Sequence, residues 1–166
     1  MSSNPHQVTK DFEAAIAEYT GAPYVVAVNS CTSALLLAVR YHLQKTERPG
    51  WTTPIRTKPI QFEHEIEIPK RTYVSVPMAI IHAGGRPTFR DEEWNGYYDL
   101  RPLHIFDSAR WFTSGMWYMP PQGVGRPPTP ISGYMMCVSF HASKTLGLEQ
   151  GGAILHDNPE ADAWFR

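Results

Sequence analysis

The chain has 166 residues, 42% hydrophobic and 19% charged: enough apolar content for one packed domain, and too much for wholesale disorder. Its formal net charge is -1, and without a basic block no nucleic-acid partner is expected. The longest apolar runs, such as Ala34 to Val39, are too short to span a bilayer, no secretory-type segment opens the chain, and two cysteines, Cys31 and Cys137, make no disulfide framework, so a cytoplasmic protein with no membrane partner is expected.

Asn4-Pro5-His6-Gln7 reads as a helix start, with a capping Asn, a proline at the first helical position and Gln three residues after the cap. Phe12, Ile16 and Tyr19 recur at helical spacing, and Gly21 ends the helix. Tyr24 to Asn29 is a compact apolar run that predicts a buried strand. Ser30-Cys31-Thr32-Ser33 follows as a polar turn, and Ala34 opens a helix apolar on most sides. The first turn of a helix carries unpaired amides and the positive end of the dipole, which suits a phosphate. Ser30 and Thr32 add hydroxyl donors there; plain N-capping by Ser30 is the competing reading. An activated Cys31 thiol would need a His–carboxylate partner, and no spacing supplies one.

Lys45 to Glu65 is polar and proline-rich and predicts a loop. Glu65 to Pro69 alternates as a strand. Thr72 to Ser75 leads into a helix through Ile81 that Gly84-Gly85 stops. Arg86 to Arg90 predicts a short strand, with Asp91 to Glu93 as its polar end. Leu103 to Phe106 predicts another, with Asp107-Ser108-Ala109-Arg110 at its carboxyl edge, and Trp111 to Pro130 predicts a loop. Tyr134 to Phe140 is a buried strand that stops at small and polar residues around Lys144. A lysine just past a buried strand can be held in a dry pocket, where its amine is available as a nucleophile; a solvated loop lysine is the competing reading. Gly151-Gly152 and the strand Ala153 to Leu155 follow, and Asn158-Pro159 starts a last helix.

Strands alternating with helices predict a mostly parallel sheet with helices on both faces. Ligands gather at the carboxyl ends of the strands in such sheets, so Ser30 to Ser33, Tyr73, Asp107 and Lys144 are expected on one rim. There is no G-x-G-x-x-G and no P-loop. Ser139 lies five residues before Lys144, which breaks the S-x-x-K spacing. Seven histidines show neither H-E-x-x-H nor a pairing with cysteines, and no metal site is expected.

Four segments in this order resemble the DegT/StrS family of sugar aminotransferases, which have the pyridoxal phosphate (PLP) fold type I. They are Asn29-Ser30-Cys31-Thr32-Ser33-Ala34-Leu35, Ile68-Pro69-Lys70-Arg71-Thr72-Tyr73-Val74-Ser75 through Gly84, Ile105-Phe106-Asp107-Ser108-Ala109, and Ser139-Phe140-His141-Ala142-Ser143-Lys144 with Gly151-Gly152. The resemblance implies a three-layer large domain spanning 1–166, without the small second domain of the longer family members. It implies PLP as cofactor, with Lys144 as the lysine that bonds the aldehyde and Asp107 as the partner that keeps the pyridine nitrogen protonated, so that the ring accepts electrons. Tyr73 would stack on the ring. The amides of Cys31 and Thr32, in the turn that Ser30 opens, and the Ser139 hydroxyl would grip the phosphate.

The chain departs from the family pattern at four positions. Cys31 stands where glycine is usual, and Gln150 where Glu precedes the two glycines. Phe106 and Arg110 replace the usual Glu before the aspartate and the Gln or His after it, so Arg110 would present a cation to the ring hydroxyl. Family members are homodimers with shared sites, which places association near Trp51 and Trp111. The implied activity is transfer of an amino group from an amino acid such as glutamate to a keto sugar, nucleotide-linked. The alternative is a non-catalytic remnant, a dimeric module that binds PLP or another ligand.

Overall fold

A computed structural model of the chain describes residues 6–46, 64–118 and 132–166. Helix α1 spans Gln7–Thr20 and ends at Gly21, whose φ of 79° is left-handed and whose N–H bonds Ala17 O at 2.8 Å. Asn4 and Pro5, read above as its start, lie outside the described residues. Strand β1 spans Tyr24–Val28 and α2 Cys31–Thr46. The helix therefore begins three residues earlier than expected, because Ser30 turns the chain and takes the cap.

Strand β2 (Glu65–Pro69), helix α3 (Ser75–Ala83) and strand β3 (Arg86–Arg90) form as expected, and Gly84 closes α3 with a φ of 100°. Strand β4, Tyr98–Leu100, was not expected; three residues are too few to show a period. Strand β5 is Ile105–Ser108, so Asp107 lies within the strand rather than past it. The stretch from Trp111, read as loop, holds a 3-10 turn at Met116–Tyr118, where Met116 and Trp117 are fully buried. Strands β6 (Met135–Ser139) and β7 (Gly152–His156) and helix α4 (Pro159–Phe165) complete the chain.

The main sheet has the order β1-β7-β6-β5-β4, with β2 and β3 paired in a separate parallel ribbon. Three of the four pairings in the main sheet are antiparallel and only β5–β6 is parallel, which corrects the expectation of a mostly parallel sheet. The reason is connection length. Only Arg101–His104 join β4 to β5, and no helix lies between β6 and β7; parallel neighbours need a long crossover, usually helical, whereas antiparallel ones do not. The expected rim survives all the same. Since β1 and β6 each oppose β7, and β5 runs with β6, the strands β1, β5 and β6 share one direction. Their carboxyl ends lie on one edge, where Gly152 faces both Val28 and Ser139 in register.

Both faces of the sheet are covered. In β6, Met135 and Cys137 join a core with Leu35, Val39 and Ala34 of α2 and Ile80 of α3. Met136 and Val138 join a second core with Ile16 of α1, Met116, Trp117 and Phe140. A strand buried on both sides reads as a continuous apolar run, which is why Tyr134 to Phe140 showed no alternation. No described helix is long and apolar enough to cross a membrane.

Candidate active site

At the shared carboxyl edge lies a cavity of about 250 Å³ lined by Ser30, Cys31, Thr32, Tyr73, Asp107, Ser139 and Lys144, with Ser75 and His141 beside them. Four separate connections thus supply one cleft.

The floor is built by α2. Ser30 Oγ accepts from Ser33 N at 3.1 Å, so Ser30 does cap the helix. Thr32 Oγ1 donates to Ser75 Oγ at 2.9 Å, which fastens the first turn of α2 to the first residue of α3. The buried Cys31 thiol lies 3.5 Å from Cys137 O and 3.9 Å from Asp107 Oδ1, either of which can accept its proton. Burial pushes that thiol well up, and the Asp107 charge adds to the effect. Cys31 is therefore a packed, protonated thiol rather than an activated one.

Asp107 is 6% exposed. Its Oδ2 accepts from the Tyr98 hydroxyl at 2.6 Å and its Oδ1 from Ala109 N at 3.0 Å. Burial raises its carboxyl above the usual carboxylate range, while the Tyr98 and Ala109 donors and the Lys144 charge pull the other way. Burial likewise pushes the Tyr98 phenol far up, so Tyr98 stays a proton donor at any working pH. Sequence reading missed Tyr98 because it sits in the unrecognised β4. The available signal was the aromatic cluster Trp94, Tyr97, Tyr98 just ahead of the Asp107 strand.

Ser139 ends β6 and is buried, and its Oγ accepts from His141 N at 3.4 Å. The chain then turns through Lys144 N to His141 O at 2.8 Å, with His141 Nδ1 accepting from Ser143 N at 3.2 Å. Lys144 is half-buried, whereas every other residue from His141 to Gln150 is exposed. Lys144 accordingly sits between the two readings, in a cleft wall rather than in an enclosed dry pocket or in open solvent. Tyr73 forms another wall and is 74% exposed.

Arg110 stands apart. The Trp111 N to Ser108 O bond closes a turn after β5, and the exposed Arg110 guanidinium lies 6.0 Å from the centre of the Trp94 ring. It does not line the cleft. Trp51 lies outside the described residues, and Trp111 is half-buried against Tyr97. Among the described residues no group of His, Cys, Asp and Glu is placed to hold a metal ion.

The donor set fits PLP in kind. An amine, a buried carboxylate and an aromatic ring share the cleft with hydroxyls at the amino end of a 16-residue helix, which matches an aldehyde, a ring nitrogen, a ring face and a phosphate respectively.

Residues 3–105 match the DegT/DnrJ/EryC1/StrS aminotransferase family. The chain belongs to that family. The matched range contains the Ser30–Thr32 turn, Tyr73 and Tyr98, and stops two residues before Asp107. One curated relative, the spore coat polysaccharide biosynthesis protein SpsC of Bacillus subtilis, is 36% identical over 86 residues, covering 52% of this chain and 18% of SpsC. Two solved structures share the fold of this DegT/StrS-family chain. A Bacillus cereus protein assigned as a PLP-dependent aminotransferase has a TM-score of 0.61 at 18% identity, over 95% of this chain and 48% of its own. DesI, solved in the presence of its TDP-sugar product, has a TM-score of 0.61 at 21% identity, over 99% of this chain and 45% of its own. The chain spans about half the length of the solved relatives it matches.

Proposed function

We propose that this DegT/StrS-family chain is the cofactor-binding large domain, 1–166, of a PLP-dependent aminotransferase that works as a homodimer. Its reaction would move an amino group from an amino acid such as glutamate to a keto sugar, nucleotide-linked. One observation carries the reading: Lys144, Asp107, Tyr73 and the first turn of α2, far apart in the chain, line a single cleft. The sugar class is suggested by relatives, since SpsC serves polysaccharide biosynthesis and DesI makes a TDP-sugar.

PLP, when bound, supplies an electron sink for the bonding pair freed at the amino-bearing carbon of the donor. The chain would hold it at four places. The Cys31 and Thr32 amides, with the Thr32 and Ser139 hydroxyls, suit the phosphate. Tyr73 offers a ring face. Asp107 can accept from the ring nitrogen, and Lys144 Nζ is the group able to bond the aldehyde and, once free, to take up and return a proton.

The purified chain, mixed with PLP, is expected to develop a visible absorbance that Lys144→Ala abolishes and that an amino donor converts to the pyridoxamine form. The rival reading, a binding module without turnover, is favoured by the openness of the cleft at Tyr73; colour that no donor converts would decide for it. A protein that takes up no PLP would remove both.

A further inference from the structure

Asp107 and Tyr98 are direct cross-strand partners in β5 and β4, yet Tyr98 belongs to none of the segments that carry the chemistry above. Its ring is 4% exposed and is packed at 4.8 Å by the edge of Trp94, so it has little freedom to turn. Its hydroxyl lies between two oxygens, Asp107 Oδ2 at 2.6 Å and Thr72 Oγ1, which it also contacts by a hydrogen bond. A phenol has one proton to give, and an ionised carboxylate has none. If Tyr98 donates to Asp107, the Thr72 hydroxyl must donate to Tyr98. The order is then Thr72 O–H to Tyr98 O, and Tyr98 O–H to Asp107 Oδ2.

We propose that Tyr98, backed by Thr72, is the positioning residue for Asp107: the two hydroxyls form a donor chain that ends on Oδ2 and holds the carboxylate in its ionised, cleft-facing orientation. The role rests on the aminotransferase reading, because it matters only if Asp107 has a ring nitrogen to meet. The second clamp is Ala109 N on Oδ1, so each carboxylate oxygen has its own donor and the plane of the group is set. The other groups facing Asp107 are the Cys31 thiol from α2, the Cys137 thiol from β6 and Lys144 from the loop after β6. Both thiols are held protonated by burial. Lys144 favours the anion, but a lysine that bonds an aldehyde is no longer a free ammonium. Hydroxyl donors keep their protons through such a change, and in a buried chain each bond strengthens the next.

The test uses the whole chain without cofactor, with the aspartate side-chain carboxyl carbons labelled with carbon-13, and follows the Asp107 resonance by NMR against pH. Asp107→Asn identifies the signal by removing it. In Tyr98→Phe, Asp107 is expected to bind its proton about tenfold more tightly, so that its titration moves to higher pH. Thr72→Val, similar in shape and at a half-buried site, is expected to move it the same way by less. Unchanged titration in both variants overturns the proposal, and if Tyr98→Phe does not fold, Thr72→Val decides alone. The two readings separate cleanly. A shifted titration in a chain that takes up no PLP keeps the donor chain and defeats the aminotransferase reading. PLP uptake on Lys144 with an unmoved titration does the reverse.

Discussion

Gly152 lies directly over the backbone amide of Cys31: a Cβ built on the glycine would stand 2.6 Å from Cys31 N and 2.6 Å from the Ser30 carbonyl carbon. Val138 O would be 2.8 Å away. All three are backbone atoms, so no side chain can swing aside. The contact, with the Ser30–Gly151 bridge next to it, is what seats the start of α2 on the edge of β7. Gly152→Ala is expected to cost about 1–3 kcal/mol through overpacking, seen as a lower denaturant midpoint, and to weaken phosphate-dependent PLP uptake. An unchanged midpoint would mean that the edge has slack.

Ser30 holds the same junction from the helix side. Ser30→Ala leaves Ser33 N without its 3.1 Å acceptor and should cost about 1 kcal/mol, while Ser30→Asp retains the cap and most of the stability. Urea unfolding of the two variants separates capping from any role in ligand binding, because Ser30→Asp also brings a negative charge to the proposed phosphate site. Full stability combined with lost PLP affinity is the result expected of Ser30→Asp.

Neither thiol should be reactive in the native protein. Cys31 and Cys137 are both buried, and burial raises both. A thiol reagent at mildly alkaline pH is expected to titrate two groups in the unfolded chain and to react slowly, at the rate of opening, in the folded one. Fast modification of Cys31 alone in the native state would contradict its packing.

His156 sets an acid limit to stability. It is fully buried in β7, stacked on Tyr24 at 5.5 Å, with Nδ1 accepting from Asn158 N at 3.3 Å. Burial lowers its proton affinity, and the nearby Asp162 opposes this only in part. A base depressed in the folded state binds fewer protons there than when unfolded, so its contribution is present above the ordinary histidine range of about 6.5 and is lost as pH falls below it. Stability should decline on that limb, and His156→Phe should flatten the decline. An identical slope in the variant would assign the limb to other groups.

Lys144→Ala is expected to leave stability within about 0.5 kcal/mol of the parent, since the side chain is half-buried in an otherwise exposed loop. Loss of colour with PLP can then be read as loss of the amine rather than of the fold. A large drop in melting temperature would show that Lys144 holds the loop together instead.

Much of this fold was legible because it follows local rules. Gly21 and Gly84 close α1 and α3, Asn158 caps α4 through Glu160 N and Ala161 N, and the six strands expected from the sequence formed. Local rules fail where a partner across the sheet does the work. The strand β4 is held by its pairing with β5, and the 3-10 turn at Met116–Tyr118 by the burial of Trp117. Arg110 looked like a cofactor contact on position alone, and the turn after β5 sends it to Trp94 instead.

Taken by itself, the order of residues placed Lys144, Tyr73 and the Ser30–Thr32 turn just past strands and Asp107 at the edge of one, because burial periodicity and turn chemistry are written along the chain. Only the tertiary structure decided that those ends share an edge although most neighbouring strands run antiparallel, and that Tyr98 reaches Asp107. Strand direction and side-chain reach depend on which segments pair, and pairing is a property of the packed sheet.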